Sequence, residues 1–108
     1  MDDALRAKLN GLRTAYGLTL PKQVAELDVA VRRWQGAPRD AQLAAEATSI
    51  AHRLCGTAGS FAYRDICDAA KAVESLVHVR ADAIDTVKVT DEMRRLVSAA
   101  TRAAEGKA

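Results

Sequence analysis

Residues 50–62 read Ile-Ala-His-Arg-Leu-Cys-Gly-Thr-Ala-Gly-Ser-Phe-Ala and lie within a longer stretch with the apolar spacing of an α-helix. We expect this helix to begin after an N-cap at Asp40. Its predicted apolar stripe consists of Leu43, Ala47, Ile50, Leu54, Ala58 and Phe61. Since an α-helix turns about 100° per residue, His52 falls roughly 160° from the centre of that stripe. The spacing therefore predicts a histidine that points into solvent.

Small residues surround this histidine on the helix. Gly59, seven residues on, lies almost in line with it, and Thr48, Cys55 and Gly56 flank the same line. A glycine inside a helix costs about 0.5–1 kcal/mol relative to alanine. Close approach of a partner protein to the imidazole would offset that cost, and a close crossing of two helices would offset it equally. A lone histidine on a helix is usually a solvated surface residue.

Three further segments carry clear helical spacing. The first is expected to end at a left-handed Gly17, and the second to begin at a Thr19 cap with Pro21 in its first turn. Gly36, Ala37 and Pro38 should end that second helix. The apolar stripes are Leu5, Leu9, Leu12 and Tyr16 in the first segment, Val24, Leu27, Val31 and Trp34 in the second, and Ile66, Ala70, Val73 and Val77 in the one that follows residues 63–65.

The last segment is ambiguous. Met93, Leu96 and Ala100 have helical spacing, whereas residues 87–90 are β-branched and alternate between apolar and polar. One prediction is a helix over about 82–104, and the other is an irregular segment followed by a helix from about Thr90.

These patterns predict an all-α fold. We expect one domain over residues 1–108, with a short N-terminal helix over about 3–16 and a bundle over about 19–105. Because short connections favour antiparallel neighbours, the predicted architecture is an antiparallel up-down four-helix bundle with an additional short N-terminal helix.

Composition excludes several classes of function. The net charge is only +2 and aromatic residues make up 4% of the chain, so nucleic-acid binding is not expected. No apolar stretch approaches the roughly 20 residues that cross a bilayer, and the start of the chain does not resemble a signal peptide. We therefore expect a cytoplasmic protein in which Cys55 and Cys67 are reduced thiols. Frequent alanine and arginine suggest a bacterial source.

The stretch around His52 resembles the signature of histidine-containing phosphotransfer (HPt) domains. The resemblance rests on His52, Leu54, Gly56 and Phe61, and Gly59 is common in one branch of that family. The helix order and the chain length are also similar, so the resemblance covers essentially the whole chain. It implies a four-helix bundle whose exposed histidine carries a phosphoryl group in a two-component phosphorelay.

By this resemblance, His52 accepts the phosphoryl group from a phosphoaspartate of a receiver domain or hybrid histidine kinase and passes it to a response regulator. The resemblance implies a phosphocarrier, and no glycine-rich phosphate loop is present that would support autonomous kinase activity. No cofactor is expected, because Mg²⁺ would belong to the partner receiver domain. Thr48, Cys55, Gly56 and Gly59 would form the docking face, and the simplest expectation is a monomer.

Two positions depart from the family pattern. Members of the family often have lysine three residues after the histidine, where this chain has Cys55. Arg53 and Lys71 are candidates to supply the missing positive charge. The glycine expected ten residues after the histidine is Ala62, a change that we expect to be mild because alanine is also small.

Three other functions fit parts of this sequence less well. An interaction module that binds a receiver or kinase without carrying phosphate is the main alternative, and the missing lysine favours it. A zinc site built from His52, Cys55, Cys67 and His78 is weaker, because the usual close pair of cysteines is missing. We therefore predict no metal site. A hydrolase is not expected, because so small a bundle has little room for a pocket.

Overall fold

A computed structural model describes residues 2–78 and 86–106 of the chain. Within these residues the structure contains five α-helices and no strand, so the predicted all-α class is confirmed. The helices are α1 (Asp3–Gly17), α2 (Leu20–Gly36), α3 (Ala41–Ser60), α4 (Arg64–Val77) and α5 (Thr86–Ala104).

The helices α2 to α5 surround one apolar core. Helix α3 packs against α2 and α4, and α5 packs against the same two helices. The predicted stripes of α2 and α4 are buried in full, and so are the three apolar positions predicted for the last segment. The largest side chains with almost no exposed surface are Trp34, Tyr63, Leu20, Leu27, Ile66 and Leu96. Helical spacing therefore identified the core of these elements correctly.

Local sequence explains where α3 begins and ends. The Asp40 side chain accepts hydrogen bonds from the backbone N–H groups of Gln42 and Leu43, at 2.9 and 3.1 Å, which confirms the predicted cap. At the other end, the N–H of Ala62 donates to the carbonyl of Gly59, and the N–H of Tyr63 donates to that of Ala58. This pair of hydrogen bonds forms a Schellman motif, which places Ala62 at the left-handed position with φ of 65°.

The apolar stripe of α1 is not part of the core. Leu5, Leu9 and Leu12 remain about half exposed, and only the end of the helix is anchored. There, the ring of Tyr16 stacks on that of Phe61 with centroids 4.4 Å apart. Partial burial raises the pKa of the Tyr16 phenol. The apolar stripe identified in the first segment is therefore largely left outside the core, because this helix packs mainly on α5 through its last turns.

The connection between α1 and α2 differs from the prediction in two respects. Gly17 does not have a positive φ and is instead buried, where an added Cβ would clash with the Tyr63 hydroxyl. Thr19 stands at the N-cap position, but its hydroxyl donates to the carbonyl of Tyr16 at 2.6 Å. The Thr19 side chain therefore caps no N–H group of α2, and Gly17 serves close packing rather than a left-handed turn.

Helix α5 is already present at Thr86, the first described residue after the gap, so the prediction of a shorter helix from about Thr90 is wrong. Val89 is fully buried while Val87 is exposed, as two residues on different sides of a helix can be. The remaining part of the longer prediction, residues 82–85, lies outside the described residues. Along the part of the chain that the structure describes, no helix is long and apolar enough to span a membrane.

Candidate functional site

His52 lies on α3 with most of its imidazole in solvent. Its side chain is 80% exposed, which confirms the exposure predicted from the helical spacing. The face of α3 next to it consists of small residues, because Ala51, Cys55 and Ala58 pack inward while Gly56 and Gly59 remain at the surface. A large molecule can therefore reach the imidazole from outside the bundle.

The buried stripe of α3 is rotated relative to the predicted one. Leu43, Ile50 and Phe61 are only partly buried, whereas Ala51 and Cys55 are buried. The physical reason is the closeness of α4, which the small side chains of α3 permit. His52 consequently lies about 100° from the centre of the buried stripe, on the flank that borders α4.

A glutamate of α4 lies beside the histidine. The Nδ1 atom of His52 is 3.5 Å from Oε2 of Glu74, and the Glu74 side chain is only 25% exposed. A carboxylate at one ring nitrogen favours the tautomer in which that nitrogen carries the proton. Nε2 is then the ring nitrogen directed away from the carboxylate, so it is the atom that a partner can reach from solvent.

Sequence reasoning missed Glu74. One face of α4 carries Cys67, Lys71 and Glu74, at spacings of four and three residues, and the C-cap residue His78 continues it. That spacing identifies the face, but the position of Glu74 opposite His52 depends on how α3 and α4 are aligned. The alignment results from tertiary packing, so no local signal reveals it.

The two glycines have no internal steric role. A Cβ at Gly56 would meet nothing within 4 Å, and one at Gly59 would lie 3.9 Å from Sγ of Cys67, an ordinary contact. A close helix crossing, the alternative explanation for these residues, therefore does not require glycine at either position. The cost of glycine in the helix is not offset inside the molecule.

Thr48 and Cys55 are not at the surface, so the prediction that they line an exposed docking face is wrong. Thr48 is 7% exposed and its hydroxyl donates to the carbonyls of Ala44 and Ala45. Cys55 is 8% exposed. Both follow the rotation of the buried stripe toward α4, which turns this flank of α3 inward.

The prediction of two reduced cysteines is also wrong, because Cys55 of α3 and Cys67 of α4 form a disulfide. Their Cα atoms are 3.8 Å apart, which marks a very close approach of the two helices. Because the two sulfurs are bonded to each other, neither is a thiolate that could bind zinc, and the alternative zinc site loses two of its four ligands. Within residues 2–78 and 86–106, no three histidine, cysteine or acidic side chains are grouped to hold a metal ion.

The two candidate cations lie on different sides of the histidine. Lys71 is exposed and lies three residues before Glu74 on the same face of α4, which brings it to the His52 side. Arg53 lines a groove of about 100 Å³ between α2 and α3, together with Gln23 and Glu26. The structure thus brings Lys71, and not Arg53, to the flank that carries His52 and Glu74.

Comparison with known proteins identifies the family. The sequence pattern of the Hpt domain matches residues 11–103, which is most of the chain. No curated protein and no solved structure gives a significant match. Hpt domains are phosphocarriers rather than enzymes, and they interact with receiver domains and kinases. The chain therefore belongs to the Hpt domain family, the histidine phosphotransfer modules of phosphorelay signalling.

Proposed function

We propose that His52 is the phosphoacceptor of a cytoplasmic phosphorelay protein, which takes its phosphoryl group from a receiver domain or hybrid kinase and passes it to a response regulator. The observation that carries this proposal is the exposed His52 imidazole with Glu74 at its Nδ1 atom. Together with family membership, it gives this side chain the access that a phosphoacceptor needs and a carboxylate that can hold a proton at Nδ1.

The transfer is a displacement at phosphorus. The lone pair of Nε2 attacks the phosphorus of a phosphoaspartate, a P–N bond forms, and the P–O bond to the aspartate carboxylate breaks. Glu74 keeps the proton at Nδ1 and balances positive charge that develops on the ring. The reverse displacement by a second aspartate returns the phosphoryl group.

The partner supplies what this chain lacks. A receiver domain would bring the Mg²⁺ ion and most of the charge stabilisation, so the chain itself would need no cofactor and would not phosphorylate itself from ATP. Gly56 and Gly59 leave room for the partner's active site to approach Nε2. We expect a monomer whose bundle helices run antiparallel, with α1 as an addition at the N-terminus.

The test is transfer from phosphorylated receiver domains to the wild type and to His52→Gln. Acid-labile, alkali-stable label should appear on the wild type alone. The variant should unfold with nearly unchanged free energy, within about 0.5 kcal/mol, because the side chain is exposed. Label on His52→Gln would contradict the assignment of the phosphoacceptor.

A second function has one observation in its favour. Cys55 occupies the position where the family often has lysine, so the chain lacks a cation there and could bind a receiver without accepting phosphate. Saturable binding of a receiver domain by both the wild type and His52→Gln, with no label on either, would favour this interaction module.

A further inference from the structure

The cysteine pair and the phosphotransfer site share one flank of the bundle. Cys55 lies three residues after His52 on α3, and Cys67 lies seven residues before Glu74 on α4. Residues at these spacings are close on a helix surface. The Cys55–Cys67 disulfide therefore joins the two helices about one to two turns from the contact between His52 and Glu74.

The pair is open to exchange with another thiol. Cys55 is buried, whereas Cys67 is only partly buried and its Sγ lies just below the exposed Gly59. An attacking thiolate can therefore reach Cys67 from the small-residue surface. Lys71, one turn further along α4, places a positive charge on the same face, and a nearby positive charge favours thiolate chemistry.

We propose that Cys55 and Cys67 form a redox-active pair, and that its reduction to two thiols slows phosphoryl transfer through His52. The effect on transfer rests on the function proposed above. In a cytoplasmic protein, a disulfide is usually transient and either catalytic or redox-sensing, which favours a reversible pair over a permanent structural bond. The reductant is a protein that carries two neighbouring thiols, as thioredoxin-like proteins do.

The exchange balances in two steps. A thiolate of the reductant attacks Sγ of Cys67, forms a mixed disulfide, and releases the thiolate of Cys55. The second thiol of the reductant then attacks the mixed disulfide and releases Cys67. The reductant ends as a disulfide, while two electrons and two protons have passed to Cys55 and Cys67.

Reduction acts on His52 through the alignment of α3 and α4. Bonded sulfurs lie about 2 Å apart, whereas non-bonded atoms prefer about 3.5–4.0 Å, so the two side chains must separate when the bond breaks. That separation occurs where the helices approach closely, and it loosens the position of Glu74 relative to Nδ1 of His52. A misplacement of 1 Å can cost on the order of 100-fold in rate, and we expect roughly tenfold here.

The pair itself is tested without any phosphate. The chain is equilibrated in glutathione buffers of graded potential, alkylated, and weighed by mass spectrometry. In the most reducing buffer we expect both cysteines to be alkylated. In the most oxidising buffer we expect a monomer with no alkylated cysteine, whose mass is two hydrogens below that of the dithiol chain. Free thiols throughout, or disulfides only between two chains, would overturn the proposal.

The coupling is tested on the oxidised and the reduced wild type, with a phosphorylated receiver domain that contains no cysteine. We expect transfer to be roughly tenfold slower in the reduced form. Cys67→Ser should transfer at one rate in both buffers. Equal wild-type rates, or a redox response that persists in Cys67→Ser, would overturn the coupling.

A second readout separates this proposal from the proposed function. The ¹⁵N chemical shifts of the His52 imidazole report its tautomer, and we expect the Nδ1-protonated form to be more populated when the disulfide is present. If neither form accepts label, the proposed function is contradicted and these shifts decide the coupling. Identical shifts in both redox states would overturn it.

Discussion

Ala62 ends α3 in a backbone conformation that disfavours its side chain. Its φ of 65° lies in the left-handed region, where a Cβ atom crowds the following carbonyl oxygen. The family pattern has glycine at this position, and we expected the change to be mild because alanine is small. Size is not the relevant property, because the cost comes from the backbone angle that the Schellman motif requires.

Replacing Ala62 with glycine should therefore stabilise the protein by about 1 kcal/mol, since glycine adopts this conformation without steric cost. Urea denaturation measures the change in the free energy of unfolding. Ala45→Gly, at an exposed position inside the same helix, is the matched control and should destabilise by about 1 kcal/mol. The same sign for both variants would contradict this explanation.

Lys71 is the cation that packing brings to the His52 flank. It should favour the arrival of the phosphoryl group, so Lys71→Gln should lower the transfer rate roughly three- to tenfold. Because the side chain is exposed, the difference from the wild type should shrink as salt is added. Initial rates at two ionic strengths measure both effects.

Arg53→Gln is the control for that substitution. It also removes one positive charge, but Arg53 lines the groove on the α2 side. Its transfer rate should remain close to that of the wild type. A larger loss for Arg53→Gln than for Lys71→Gln would mean that the orientation of α3 does not decide which cation serves the site.

Among the helices, α1 is anchored at one end only. The Nε atom of Arg13 donates to the carbonyl of Phe61 at 3.0 Å, and the Tyr63 hydroxyl donates to the carbonyl of Arg13 at 2.9 Å. The Arg13 guanidinium also lies 3.9 Å from the centre of the Tyr63 ring. Gly17 lets the helix approach Tyr63 and Ala103 this closely.

A methyl group at Gly17 should disturb this contact. Gly17→Ala should lower the free energy of unfolding by about 1–3 kcal/mol, because the added Cβ meets the Tyr63 hydroxyl and the Ala103 carbonyl. Gly11→Ala is the control on the same helix, where nothing lies within 4 Å of an added Cβ. It should be neutral or slightly stabilising, as measured by thermal unfolding, and equal losses for both would contradict a steric role of Gly17.

Apolar spacing predicted the buried positions well for two of the helices and poorly for two others. The stripes of α2 and α4 are correct in full, whereas that of α1 is exposed and that of α3 is rotated. Spacing records which side of a helix is apolar, but burial also depends on what packs there. Small residues such as Ala51 contribute little to an apolar pattern and still lie at the closest contacts.

The whole molecule is longer than its bundle. It extends over 53 × 21 × 17 Å, whereas a helix of 20 residues is about 30 Å long. Its Cα radius of gyration of 15.0 Å also exceeds the roughly 13 Å of a compact chain of this length. We attribute the excess to α1, which continues beyond the end of the bundle and begins outside the residues that match the family.

Removing the projecting part of α1 should therefore cost little. Deletion of residues 2–11 should change the free energy of unfolding by less than about 1 kcal/mol, because Leu5 and Leu9 are exposed. Deletion of residues 2–17 also removes Arg13 and Tyr16, and it should cost about 2 kcal/mol or more. A large loss of stability on the shorter deletion, measured by urea denaturation, would show that the projecting turns support the bundle.

The sequence by itself determined the helical class, the position of most helices and the exposure of His52, because these depend on local spacing, caps and turn residues. Tertiary structure alone decided that Glu74 meets His52, that Cys55 meets Cys67, and that Lys71 rather than Arg53 shares their flank. These pairings join residues distant in the chain. They depend on the alignment of α3 with α4, which results from the fit of small side chains between two helices and leaves no periodic signal in either.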